Sequence, residues 1–292
     1  MTPGEVYTSI ESLIGDKTAI FDKGTVTTER AMWVVVFNAI RGLDTDNQGN
    51  ILPNSNNLRK LRTLQGTAKR GIITKNYRKK VNGFLAGFQE LKDISDKYFS
   101  QDVDFNPNKH VFKANLNSSI EATKNSLLEA GISENVIKPV ENILKQNITA
   151  GGSIVDLTDS LRAEILGDSQ TQGRLQRYSG QITNDALNQY NANHTLSVAN
   201  DLGLEFYTYQ GLIQTNSRDY CKRRVSEGRW FHIKEIKKTA SEVWAGKMKS
   251  TTPSTILVNR GGFNCLHQYI PVSTSGVPRR VIQRVRSKGL IQ

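Results

Sequence analysis

The sequence predicts an α+β protein, mostly helical in its N-terminal half and closing in a small α+β C-terminal unit with short strands. Apolar residues recur at helical spacing through residues 1–150, beginning with Val6, Ile10, Leu13 and Ile14. At Gly203 the period changes, and residues 204–210 show the alternation and aromatic content of a strand. Both cysteines, Cys221 and Cys265, follow that change, as do His232 and His267 of the chain's four histidines. Four segments result: a helical domain at 1–150, a helical connector with a long helix at 151–202, a Cys/His-containing α+β unit at 203–275 and a basic tail at 276–292.

In order along the chain, the Val6 to Ile14 pattern marks one helix and residues 28–43 a second, more buried one. The apolar run at 31–37 is much shorter than the ~20 residues of a membrane span, so it reads as core. Residues 44–57 form a loop by composition, and 58–98 alternate basic and apolar residues in a helical pattern broken by glycines. Phe112, Leu116, Ile120, Thr123 and Leu127 line a helix that Gly131 is placed to cap. Ser133 and Glu134 open another, with Pro139 near its start. The step Gly151-Gly152-Ser153 is a boundary, and Ser153 with Asp156 makes a capping-box-like start. The long helix, residues 172–200, carries Asn, Gln, Asp and Ser opposite its apolar face. Uncharged carboxamides suit a protein-covered surface, and Asn188 and Asn191 are the expected contacts with a partner. His194 on this helix is read as structural. Beyond Gly203, Ser217 is placed to cap a short helix bearing Cys221 that Gly228 ends. Residues 229–231, 255–258 and 266–272 read as strands and 233–244 as a helix.

Composition excludes several classes. With 37% apolar residues and a mean hydropathy of −0.46 the chain is polar, yet aromatic enough to rule out wholesale disorder. The opening residues lack the basic-then-apolar pattern of a secretory leader, so the two cysteines are expected as reduced thiols or ligands. The net charge of +12 is concentrated in two stretches without acids. One holds Arg59, Lys60, Arg62, Lys69, Arg70, Lys75, Arg78, Lys79 and Lys80; the other holds Arg279, Arg280, Arg284, Arg286 and Lys288. A solvated face explains either stretch alone. Two together favour a polyanion, and with no groove-reading motif the expectation is salt-sensitive, non-specific binding to double-stranded DNA.

Cys221, Cys265 and His267 are expected to converge and to hold one Zn²⁺, with His232 as fourth ligand, because zinc takes thiolate and imidazole in tetrahedral sets. The alternative is plain packing of two thiols. A catalytic dyad of Cys221 with His232 or His267 lacks an identifiable orienting group. Gly261-Gly262 is not followed by the Lys-Ser or Lys-Thr of a phosphate loop, and no acid/base carboxylate pair is visible. No catalytic residue is assigned, no enzyme activity is expected, and no small-molecule substrate or membrane partner is indicated.

The order of these elements resembles the phage Mu head-morphogenesis family, the minor head (minor capsid) proteins of tailed phages. The resemblance runs from about Gly152 to Val272 through Arg174-Leu-Gln-Arg-Tyr-Ser-Gly-Gln-Ile-Thr183, Phe206-Tyr-Thr-Tyr-Gln-Gly211, Arg218-Asp-Tyr-Cys221, Gly228 and Gly261-Gly-Phe-Asn-Cys-Leu-His-Gln-Tyr-Ile-Pro-Val272. Leu266 departs from the usual basic residue between Cys265 and His267, and Asn184 from the usual acid after the threonine. The resemblance implies a structural virion protein, assembled in the host cytoplasm, placed near the portal inside the capsid and touching a portal or capsid subunit and packaged DNA. The alternative is a nucleic-acid-binding or nuclease-like protein using the Cys/His cluster. Cys265-Leu-His267 with Pro271 faintly resembles an HNH finger, but no Asp, Glu, Asn or His follows His267 to complete one.

Overall fold

The computed structural model describes residues 1–292 apart from Val103 and Asn264, and apart from the side chains of Leu64 and Gln65. The asparagine of the closing Asn-Cys motif, Asn264, therefore lies outside the described residues. The fold is α+β. Helices α1 (Pro3–Arg41), α2 (Ser55–Ile72), α3 (Lys75–Phe99), α4 (His110–Leu128), α5 (Ala130–Ile132), α6 (Lys138–Ala150), α7 (Ile154–Leu166) and α8 (Arg174–Asp201) come first. Then follow β1 (Phe206–Gln210), α9 (Asp219–Ser226), β2 (Trp230–His232), α10 (Ile233–Lys238), α11 (Ile256–Asn259), β3 (Gln268–Val272) and α12 (Arg279–Ser287). Among the described residues no helix is long and apolar enough to cross a membrane.

The chain divides into two compact units that are discontinuous in sequence. One comprises Asp16–Ala86 and Ile120–Asn184; the other comprises Met1–Gly15, Gly87–Ser119 and Asp185–Gln292. This division differs from the sequential one read from composition, because α1, α3, α4 and α8 each contribute residues to both units.

In the first unit, Phe21 meets the rings of Tyr77 and Phe84 edge-on at 6.1 and 5.6 Å. The hydroxyl of Tyr77 donates to the carbonyl of Leu127 at 3.0 Å. Where the sequence suggests two helices, α1 is continuous. Buried threonines bridge the polar stretch: Thr25 and Thr28 donate to the carbonyls of Asp22 and Gly24 within the same helix and leave their methyls for packing. Glu29, 2% exposed, accepts the backbone N–H of Gln176 at 2.9 Å and also its side-chain amide, so α1 caps the first turn of α8. Gly131 does not end a helix. The chain runs on from α5 through a π-helical stretch, Ser133–Ile137, into α6, and a Cβ at Gly131 would lie 2.2 Å from both the Ser126 carbonyl and the Tyr178 hydroxyl. Gly151 takes the left-handed conformation that closes α6, and Ser153 caps α7 by accepting from Val155 and Asp156, as the sequence predicts.

The second unit is built on a three-stranded antiparallel sheet of order β2-β1-β3. Strand alternation sorts its side chains between two faces. Tyr207 and Tyr209 of β1, Phe231 of β2 and Tyr269 of β3 share a core with Tyr220, Cys221, Ile236 and Cys265. Phe206 and Val272 pack instead with Val277, Val281, Val285 and Leu290. The C-terminal basic stretch is thus an amphipathic helix, α12, that covers one face of the sheet. Residues 255–258, read as a strand, form α11. A short apolar run has no decisive period, and here Ile256 and Leu257 are buried from a helical turn. Ser217 does not cap α9: its hydroxyl accepts from Gln214, and Arg218 occupies the N-cap position. The carboxamides of α8 also differ from expectation. Asn191 is 2% exposed and donates to Gln268 at 2.8 Å, while Asn188 accepts from Arg260 at 3.2 Å. They tie α8 to the β3 region of their own unit.

Candidate metal centre

Cys221 lies on α9, and Cys265 and His267 lie on the segment that leads into β3. All three are buried, and their ligand atoms lie within 4.8 Å of one another. The sulfurs are 3.8 Å apart. A tetrahedral ion with metal–sulfur bonds of about 2.3 Å requires a sulfur–sulfur edge of about 3.8 Å, so the pair is already spaced for one. Nε2 of His267 is buried with no hydrogen-bond partner among the described residues, the expected state of a ligating atom without its ion. The donor set, two thiols and an imidazole, fits a thiophilic divalent metal.

Two glycines make this approach possible. A Cβ on Gly261 would stand 2.6 Å from the sulfur of Cys221 and 2.8 Å from that of Cys265. Gly211, at φ +147, faces the His267 ring, and a Cβ there would stand 2.4 Å from it. On its other side the ring of His267 stacks on Tyr209 with centroids 5.2 Å apart and planes 10° from parallel. The Tyr209 hydroxyl lies 3.3 Å from the sulfur of Cys221 and 3.9 Å from that of Cys265.

The electrostatics favour a thiolate here. The hydrogen bond from Cys221, helped by the positive charge of Arg260, lowers the Cys265 thiol, whereas the same bond, with burial, raises Cys221. The pair therefore shares one proton, and an incoming cation displaces it. Arg260 is only 6% exposed and adopts a positive φ of 53°. Its Nη1 donates to Asn188 and, at 3.4 Å, to the carbonyl of His267. Burial pushes Tyr209 well above the usual phenol range.

The structure brings together Cys221, Cys265 and His267 but not His232. The pairing of His232 with Phe206 puts its side chain on the opposite sheet face, 5.1 Å from the Phe206 ring. There Nδ1 accepts the Lys234 N–H, and Glu235 accepts the His232 N–H, which makes His232 the cap of α10. His194, fully buried, stacks between Tyr190 and Phe112 as a structural residue. Sequence reasoning missed Tyr209, Gly211, Gly261 and Arg260. Of these, only the glycines carried a signal, as glycines beside a strand end and a cysteine.

The basic stretches are only partly free. Arg59, Arg62, Arg70, Lys75, Arg78 and Lys79 are exposed on α2 and α3, and Lys69 is half-buried. Lys60 pairs with Asp44 at 2.8 Å, and Lys80 donates to the Gly24 carbonyl. On α12, Arg279, Arg280 and Arg286 are exposed, whereas Arg284 and Lys288 both pair with Glu235, at 3.0 and 2.7 Å. Compared with protein-family models, with curated proteins and with solved structures, the chain matches none.

Proposed function

We propose that this chain is a non-enzymatic, nucleic-acid-binding structural protein whose sheet-containing unit is clipped by one Zn²⁺ at Cys221, Cys265 and His267. The observation that carries this reading is the buried sulfur pair, 3.8 Å apart with an imidazole in reach. Zinc is the ion that mixed thiolate and imidazole sets select in tetrahedral geometry. Bound there, it supplies folding free energy by tying α9 to the segment before β3. Ligands only 2–4% exposed offer a phosphodiester no approach, so the site is read as structural rather than nuclease-like.

The charges supply the second half of the reading. The first turns of α2 and α3 contain no acid, and α3 opens on Lys75, Arg78 and Lys79. Cations beside the positive end of a helix dipole destabilise the free protein, and a phosphate backbone relieves that repulsion. No element is placed to read base edges, so binding is non-specific. The resemblance to phage minor head proteins gives a setting in which such a protein works by contact. The partners would be packaged DNA and a portal or capsid subunit, inside a virion. What supports the setting is the order α8, β1, Cys221 helix, Gly228, Cys265/His267 and β3 along the chain.

Protein purified without chelator should carry close to one equivalent of zinc and lose thermal stability when a strong chelator is added. Far less zinc, with no loss of stability, overturns the metal reading. Fluorescence anisotropy with duplex DNA at two salt concentrations tests the other half. Affinity should fall steeply with salt and be indifferent to sequence, and failure to bind at low salt overturns it. Presence of the chain in purified heads tests the setting.

A further inference from the structure

We infer that the phenolic oxygen of Tyr209 is the fourth ligand of the ion held by Cys221, Cys265 and His267; this rests on the metal reading above. Closed structural sites take four protein ligands, and with His232 on the other sheet face the fourth must come from elsewhere. Among the described residues only Cys221, Cys265 and His267 group as histidine, cysteine or carboxylate ligands. Tyrosine is the remaining side chain at the cluster able to offer an anionic donor.

The distances support it. With metal–sulfur bonds of about 2.3 Å and a metal–oxygen bond of about 2.0–2.2 Å, a tetrahedron has oxygen–sulfur edges of about 3.5–3.7 Å. The Tyr209 oxygen lies 3.3 and 3.9 Å from the two sulfurs, bracketing that edge. The sheet fixes it there. Tyr209 pairs with Tyr269 at the centre of the ladder, is fully buried, and lies flat against the His267 ring. Water has no path to the vertex that the hydroxyl occupies.

Charge gives an independent reason. Arg260 is a buried guanidinium that forms no ion pair among the described residues, although Asp185 senses its charge. Zn²⁺ with two thiolates and neutral donors is uncharged and leaves Arg260 uncompensated, a costly arrangement. Two thiolates and a phenolate against Zn²⁺ leave one negative charge, which Arg260 balances. On binding, the phenolic proton leaves to solvent as the oxygen–metal bond forms.

The test titrates the metal-free full chain with Zn²⁺, following the ultraviolet difference spectrum of ionised tyrosine, and with Co²⁺, following its visible bands. The expected result is an ionised-tyrosine signal that saturates at one equivalent of Zn²⁺. Tyr209→Phe should lose that signal, keep the sulfur-to-cobalt charge-transfer band, show an altered ligand-field band and bind at least tenfold more weakly. One equivalent of bound metal with the charge-transfer band but no ionised tyrosine in the wild type overturns the role of Tyr209 and leaves the zinc reading standing. No bound metal and no charge-transfer band overturns both. The wild-type spectrum decides the matter even if Tyr209→Phe fails to fold.

Discussion

Gly261 shows how a single hydrogen atom can govern a site. Its missing Cβ would sit within 2.8 Å of both sulfurs. Gly261→Ala should therefore push the thiols apart, reduce bound zinc well below one equivalent and cost about 1–3 kcal/mol of stability, read by metal analysis and denaturant melts. Glu29 offers a residue-scale pH test. Burial, opposed by its hydrogen bonds from Gln176, raises its carboxyl above the ordinary 4.5. The folded chain thus holds that proton more tightly than the unfolded one, and the stability present below the unfolded value is lost as pH rises through the folded one. Urea melts of the wild type and Glu29→Gln should accordingly diverge as pH rises from about 4 to 7, the wild type losing ground; a constant difference refutes this. At this scale the cysteines and His267 were legible because they are scarce and close in sequence. Tyr209 was not, since an alternating aromatic in a strand looks the same whether it fills a core or faces an ion.

At the scale of elements, strand register decides what a residue can do. His232 is read from the sequence as a ligand because it is a histidine in the right window, but antiparallel pairing with Phe206 turns it away and makes it the cap of α10. His232→Ala should cost about 1 kcal/mol and leave zinc content intact, whereas His267→Ala should abolish zinc binding. Retention of zinc by His267→Ala would be fatal to the assignment. The basic stretches are sorted in the same way. Arg284 and Lys288 serve Glu235, so the DNA-facing candidates on α12 narrow to Arg279, Arg280 and Arg286. Replacing those three with Gln should weaken duplex binding and flatten the salt dependence by about 0.9 for each phosphate no longer neutralised, measured by anisotropy. Gln at Arg284 should instead destabilise the helix. Cutting the chain before α12 is a poorer experiment, since Val281 and Val285 go with the charges. Long periodic helices were legible from spacing alone. The turn at 255–258 was not, because four residues cannot display a period.

At the scale of the whole molecule, the sequence shows where composition changes but not which segments share a core. Residues 1–15 pack in the unit that contains the sheet, through buried Val6, Tyr7, Ile10 and Ile14. Nothing local in their helical pattern points there, because amphipathicity names a face and not its partner. Deleting residues 1–15 should lower the melting temperature of that unit and loosen its hold on zinc, although no ligand is removed. Each buried apolar side chain stripped away contributes about 1.5–3 kcal/mol. The same interleaving matters during synthesis. Residues 1–15 leave the ribosome before 185–292, the bulk of their unit, exist. At about 5–20 residues per second the gap of roughly 170 residues lasts on the order of ten to thirty seconds. Through that interval the nascent chain carries an uncovered apolar stripe, a natural handle for chaperones that the finished protein no longer displays.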